Sequence, residues 1–369
     1  MNLTRSNLVL SGLCLLLAVP TTLQLLSEVD SYVDVGGIPA MFDGFTSDNV
    51  GSIVLAEPLP EQPEPAPNQS PEEPRPVAYE QLVLVRGTDG WQIGTPKRQA
   101  PGDLAGAPVM KSRVENDVFE HLRAIRVDRD ALVQPEATEE QLARYGLDEQ
   151  HAFVVRCVDR AGKHIVAELL VGNDASQGRA GTDAVAGVFV RRRDSNDVVL
   201  YEWQRPWRRD LDPQGWLDRT LFRLQPDKVK KLAIRNGSAK RTFTFVREPG
   251  KARWQALQAD DLGAVRQAEV EALVQRLQYF GVQAFERPLT RAGDMSALGL
   301  YPPQIEITLV YDDEDGEHTR ELHIGGKVDG RNERWLECSG EPFLMTLPAG
   351  RATQFELDVA RRLFDPKGN

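Results

Sequence analysis

Hydrophobic positions along the chain recur with two periods, and one succession of those periods is written twice. Residues 50–55 are a short apolar, β-rich run, and residues 81–86 and 91–93 form two more around Gly87-Thr-Asp-Gly90. Val114, Val118, Leu122 and Ile125 then recur at helical spacing, one apolar stripe that needs a sheet to face. Thr138-Glu-Glu-Gln141 predicts a short helix with Thr138 as cap and Gln141 at its third position, stopping at Gly146 in left-handed backbone. A hairpin follows (151–158 and 164–172 about Gly162), then a strand pair (188–192 with 198–203) and a closing helix over 214–222.

The second set repeats the first. Residues 231–235, 241–246 and Trp254-Gln255 echo the opening strands, and Trp254 corresponds to Trp91 as the core anchor of a hairpin. Val270, Leu273, Val274, Leu277 and Phe280 make the matching stripe. The turn Ala297-Leu-Gly-Leu-Tyr301 is followed by Pro302-Pro303, which bars any helix from continuing. Then come 304–310 and 318–325 about Gly316, 334–338 with 343–347, and a closing helix over 352–364. Its Ala360-Arg-Arg-Leu-Phe364 aligns with Asp218-Arg-Thr-Leu-Phe222. Gly146 and Gly299 lie 153 positions apart, as do Gly172 and Gly325, and a fixed offset marks an internal duplication. The expected fold is α+β: two tandem repeats, each a mainly antiparallel sheet with helices on one face.

What precedes the repeats changes the setting. Residues 8–19 are apolar or small and the character continues more weakly to Leu26, 19 residues from Leu8, close to the roughly 20 that span a bilayer. Pro20 sits where a signal-peptide cleavage site needs a small residue, so a retained transmembrane helix over residues 1–26 is favoured over a cleaved leader. Arg5 and the amino terminus place positive charge on the near side, leaving the bulk outside the cytoplasm. Residues 27–44 read as a spacer, 45–225 as the first repeat and 226–366 as the second. Within the first repeat, residues 57–78 carry prolines among glutamates and read as an extended loop that buries no core.

Charge and composition narrow the chemistry. A net charge of −11 over 369 residues argues against nucleic acid as a partner. Cys14 lies in the apolar segment, and Cys157 and Cys338 fall in predicted strands, where they read as buried thiols. The five histidines show no metal-binding spacing, and Asp312-Asp-Glu-Asp-Gly316 lacks carboxylates at the first and last positions of a calcium loop, so it reads as a solvated turn. No nucleophile elbow, phosphate loop or dinucleotide fingerprint appears; no cofactor, no metal and no catalytic residue is expected. One cluster in the first half has no counterpart in the second: Trp203, Arg205, Trp207, Arg208 and Arg209, with Trp216 nearby. Cations interleaved with aromatics suit an acidic or membrane-embedded partner; the plainer reading has the tryptophans packing the closing helix.

Trp91-Gln-Ile93, Arg144-Tyr-Gly-Leu-Asp148, Ser296-Ala-Leu-Gly-Leu300 and Arg219-Thr-Leu-Phe222, in this order of elements after a membrane segment, resemble the bacterial family called domain of unknown function 4340. The resemblance spans residues 50–365; the proline-rich loop and the second turn, without the aspartate of the first, depart from its pattern. It implies an inner-membrane, single-pass, periplasmic companion of ABC-type transport systems of the gliding-associated sort, and no catalytic residues. The expected function is therefore that of a non-enzymatic accessory or scaffold protein. The alternatives are an envelope-polymer or glycan binding module and a hydrolase with dispersed carboxylates. If residues 8–26 stay in the membrane, the full-length protein will resist carbonate and high-salt extraction; recovery of a soluble form beginning near Thr21 would show a cleaved leader instead.

Overall fold

A computed structural model describes residues 38–60, 77–96, 102–176, 185–202, 208–236, 242–248, 253–259, 261–356 and 358–366. Its first nine strands are β1 (Val50–Pro58), β2 (Tyr79–Arg86), β3 (Trp91–Ile93), β4 (Pro108–Val109), β5 (Leu132–Gln134), β6 (Phe153–Asp159), β7 (Ile165–Ser176), β8 (Val185–Arg192) and β9 (Val198–Glu202). Between β4 and β5 runs α1, residues 111–124, built of Lys111–Val114, a π turn Glu115–Phe119 and Glu120–Ala124; α2 (Glu139–Arg144) precedes β6 and α3 (Pro213–Trp216) follows β9. After β10 (Thr220–Arg223) come β11 (Val229–Asn236), β12 (Phe243–Val246), β13 (Gln255–Leu257), α4 (Gln267–Leu277), β14 (Tyr279–Gly281) and β15 (Ala284–Pro288). The chain ends with β16 (Ile305–Asp313), β17 (Gly316–Lys327), β18 (Glu333–Cys338), β19 (Phe343–Pro348), α5 (Ala349–Ala352) and α6 (Val359–Leu363).

These strands form two large antiparallel sheets whose orders agree apart from the extra edge strand β4: β4-β3-β2-β1-β6-β7-β8-β9-β5 and β13-β12-β11-β16-β17-β18-β19-β15. Irregularities fall at corresponding places as well. The ladder to β6 slips between Val50 and Ser52, and that to β16 between Val229 and Lys231. β7 leaves register with β8 between Val171 and Asp174, and β17 with β18 between Ile324 and Lys327. β1 and β11 hold the same place in the two orders, next to β6 and β16, so in strand order residues 231–235 line up with β1 rather than with residues 81–86. The sequence reading missed this because the proline-rich insertion follows β1 and separates it from its hairpin partner β2, which it meets from Ser52↔Val85 to Pro58↔Tyr79.

Both amphipathic stripes are buried as expected: Val114, Val118, Leu122 and Ile125 on or just beyond α1, and Val270, Leu273, Val274 and Leu277 on α4. Phe280 is buried too, but from β14 rather than from the helix. α2 carries the predicted capping box, with the Thr138 amide donating to Gln141 Oε1 at 2.8 Å and the Gln141 amide donating to Thr138 Oγ1 at 3.4 Å. Trp91 and Trp254 are both buried core anchors, each under an arginine guanidinium: Arg86 at 4.9 Å and Arg247 at 4.6 Å from the ring centre.

Four expectations need correction. The helices do not all lie on one face. Leu169 and Val171 belong to the main core with α1, whereas Leu170 joins Leu142 of α2 and Leu147 in a separate cluster, and neighbouring strand residues point to opposite faces. In the second sheet Phe343 and Met345 likewise face the main core, and Leu344 packs with Leu300 and Ala292 behind it. Residues 214–222 are not a helix. α3 stops at Trp216, the Asp218 carboxylate accepts the Thr220 amide at 2.9 Å, and β10 follows. Residues 352–364 are divided between α5 and α6, the latter capped by Asp358. Leu217 bridges Val109 and Phe364 bridges Val265, each just ahead of the long helix of its half. The end of the expected spacer is also packed, since Met41 is buried and its amide donates to the Ile125 carbonyl at 3.0 Å.

The turn after each short helix lies directly on the sheet. Gly146 and Gly299 adopt φ of 67° and 69°, as the sequence predicts. Gly172 and Gly325 have no room for a side chain: a Cβ would stand 2.3 Å from the Tyr145 carbonyl oxygen and 2.5 Å from that of Leu298. No helix among the described residues is long and apolar enough to cross a membrane, and residues 8–26 lie outside them. Gly172→Ala and Gly325→Ala will each destabilise the protein by about 1–3 kcal/mol, because backbone must move to admit the methyl group; unchanged thermal midpoints would contradict the close approach.

Candidate functional site

Of the aromatic and cationic residues singled out by sequence, Trp203, Arg205 and Trp207 lie outside the described residues. Arg208 is exposed. Arg209 is turned toward β7, donating to the Gly172 carbonyl and standing 3.3 Å from Asp174 Oδ1. Trp216 is a core residue: it is buried, its indole N–H donates to the Asp210 carbonyl at 2.9 Å, and the Arg113 guanidinium covers its ring at 4.3 Å. Arg113 in turn pairs with Asp210 at 2.7 Å and Asp117 at 3.2 Å, which fixes α3 against α1.

Immediately after α3 the chain forms a feature that the sequence reading concealed inside a helix. β10 pairs only with β14, giving a two-stranded ribbon between the two large sheets. Phe222 and Phe280 stack within it at 5.2 Å, and the Gln214 amide donates to the Phe285 carbonyl at 2.6 Å, so the ribbon joins one half to the other. Beside the ribbon lies a groove of about 420 Å³ whose charged lining residues are Arg219, Arg223 and Arg351, with Tyr279 at its rim. Tyr279 is 61% exposed. Arg223 lies 5.9 Å from the Tyr279 ring centre and Arg351 4.8 Å from that of Phe280, while the Arg219 guanidinium donates to the Gln214 carbonyl at 3.1 Å. Burial holds the Arg351 guanidinium below its usual range, although an arginine so placed stays cationic at neutral pH.

No carboxylate lines this groove, and among the described residues none of its three arginines has one within ion-pair distance. That sets it apart in an acidic chain. A second cleft holds Arg266 already paired with Asp365 at 3.0 Å, and a third is lined by Asp128, Asp130 and Glu202. The clue available in sequence was the pair of arginines four apart in Arg219-Thr-Leu-Phe-Arg223, without an acid between them. Arg351 comes from α5, far along the chain, and only folding brings it there.

The remaining reactive groups have local partners. His151 meets Asp148 at 2.7 Å, His318 meets Asp313 at 2.7 Å, His323 meets Glu337 at 3.2 Å and His121 meets the Tyr201 hydroxyl at 3.1 Å. No cluster of three or more metal-ligating side chains forms among the described residues. Asp312 to Gly316 is the turn between β16 and β17. There Lys230 bridges Asp312 at 2.6 Å and Glu317 at 2.9 Å, and the hydrogen bond that it donates to Asp312 foremost holds its ammonium above the usual lysine range. Cys157 and Cys338 are free and buried; burial pushes the Cys157 thiol up and that of Cys338 to about 12.

A thiol in the unfolded chain ionises near pH ~8.5, so both folded cysteines contribute stability below that value, which is lost as pH rises toward the folded pKa of Cys338, about 12. Two results are expected: no reaction of either thiol with a disulfide reagent at pH 8 until denaturant is added, and a shallower alkaline loss of stability in Cys338→Ala than in wild type. Rapid labelling of the folded protein would contradict their burial.

No curated protein and no solved structure shows significant similarity to the chain. A family model described as domain of unknown function (DUF4340) matches residues 103–301, from before α1 through β10 and β14 to the second turn. That stretch is more than half of the 369 residues and includes Arg219, Arg223 and Tyr279. The chain, two antiparallel sheets whose strand orders agree apart from β4 and which a short ribbon joins, belongs to the domain of unknown function 4340 family.

Proposed function

We propose that the protein is a membrane-anchored, extracytoplasmic accessory or scaffold protein that acts by contact rather than by catalysis, in company with an ABC-type transport system of the gliding-associated kind. The single observation that carries the contact role is the joint groove. It presents three arginines without carboxylate partners and an exposed tyrosine, and arginine and tyrosine dominate the energetics of protein interfaces. The apolar run over residues 8–26 supports the anchor, and family membership supports the transport setting through the family's usual company. The common strand order and matching register slips support an origin of the two sheets by duplication. Under this reading one unit was copied, and the ribbon that joins the copies became the contact surface.

The full-length protein, cross-linked in its native membrane and purified in mild detergent, will bring with it membrane-spanning and ATP-binding subunits in fixed ratio. Recovery of the protein alone at every cross-linker concentration would overturn the accessory role.

A further inference from the structure

We infer that the groove beside the β10–β14 ribbon is a docking site for an extended acidic segment of a partner protein, held by Arg219, Arg223 and Arg351. This deepens the contact role proposed above and rests on it. The first argument is charge. Arg113, Arg235 and Arg331 are neutralised by Asp210, Glu306 and Glu286, whereas Arg219, Arg223 and Arg351 share one groove without a carboxylate, so an acidic partner meets three cations that no acid among the described residues already holds. The guanidinium fork is shaped to take a carboxylate through two parallel hydrogen bonds.

Spacing selects the occupant. Arg219 and Arg223 are four residues apart on extended chain, about 13 Å at roughly 3.3 Å per residue. An extended peptide with acidic side chains on alternate residues presents a carboxylate about every 7 Å along one face, so two of its carboxylates match that spacing and each arginine takes its own, whereas a single phosphate or lipid headgroup would require both side chains to bend toward one point. Arg223 stands 5.9 Å from the centre of the Tyr279 ring, on one of its faces, which leaves less aromatic surface for stacking on a sugar and favours a peptide over a polysaccharide.

The site has a second property. Arg219 and Arg223 flank or belong to β10, whereas Tyr279 and Arg351 belong to the second half, so an occupant binds both halves at once. A ligand that binds only the joined arrangement stabilises it by mass action. Docking therefore tightens the joint as well as recruiting the partner.

The test uses full-length protein in non-ionic detergent and a fluorescent ten-residue peptide of alternating glutamate and serine, followed by anisotropy. Binding is expected at low salt, weakening as salt rises, with an increased thermal midpoint of the protein at saturating peptide. Arg219→Gln with Arg223→Gln should weaken it at least tenfold, while Arg208→Gln, outside the groove, leaves it unchanged. Because Arg351 packs on Phe280, its variant is read only after its thermal midpoint has been compared with wild type; the exposed Arg219 and Arg223 carry the decision. Equal binding by wild type and the double variant, or no binding of the peptide, overturns the inference. So does retention of inorganic phosphate, phosphatidylglycerol vesicles or polygalacturonate without the peptide, which would assign the groove to a small anion, a membrane or an envelope polymer. Failure here alongside co-purifying transport subunits would leave the accessory role standing and move the contact elsewhere.

Discussion

Phe222 and Phe280 lie face to face with their planes 8° apart, and around this contact the cores of two sheets become one. The buried cluster runs without a break from Met41 and Val50 through Trp216, Phe222 and Phe280 to Phe364. A stacked aromatic pair adds only about 1 kcal/mol beyond the area it buries, so its importance lies in position. It holds β10 against β14, and those two strands belong to neither large sheet. Without it each sheet would keep its hydrogen-bond ladders but expose the apolar end where the other half now packs.

Within each half the same physical problem is solved in the same way. A sheet buried on one face by an amphipathic helix would leave alternate residues on its reverse face in water. Leu170 and Leu344 are instead covered by the short helix or turn that precedes β6 or β16. To lie that close the turn must touch the sheet backbone, which is possible only where the strand carries no side chain. Gly172 and Gly325 meet that requirement, and the Asn173 and Gly326 amides then donate to the Tyr145 and Leu298 carbonyls at 2.7 and 2.8 Å. The close approach thus satisfies the backbone that it buries.

Electrostatics divides the molecule differently from packing. Arginines over Trp91, Trp216 and Trp254 combine a cation–π contact with hydrogen bonds to backbone or carboxylate, and their charge is used internally. Those of the joint have aromatic neighbours and backbone acceptors but no acid. The difference is geometric. The ribbon is short and lies between sheets, so no neighbouring strand presents a carboxylate across from it, as Glu306 on β16 does for Arg235 on β11.

Local patterns were legible because local physics decides them. The stripes on α1 and α4, the Thr138 capping box, the left-handed Gly146 and Gly299, the hairpins and the buried thiols all follow from periods and residue chemistry within a few positions, and a duplicated spacing shows two such sets. What sequence could not decide was which strand stands next to which, since strand order is settled by pairing between distant segments. β1 meets β6 across the whole of the intervening β2, α1 and β5, so its equivalence to β11 was hidden. The stretch over 214–222 has apolar residues compatible with a helix turn, but Asp218 ends α3 and the partner strand β14, more than fifty residues on, draws Thr220–Arg223 into a ribbon. The groove follows from that pairing. Its arginines are ordinary charges in the sequence, and only tertiary structure brings Arg351 into one groove with Arg219 and Arg223 and places no acid among them.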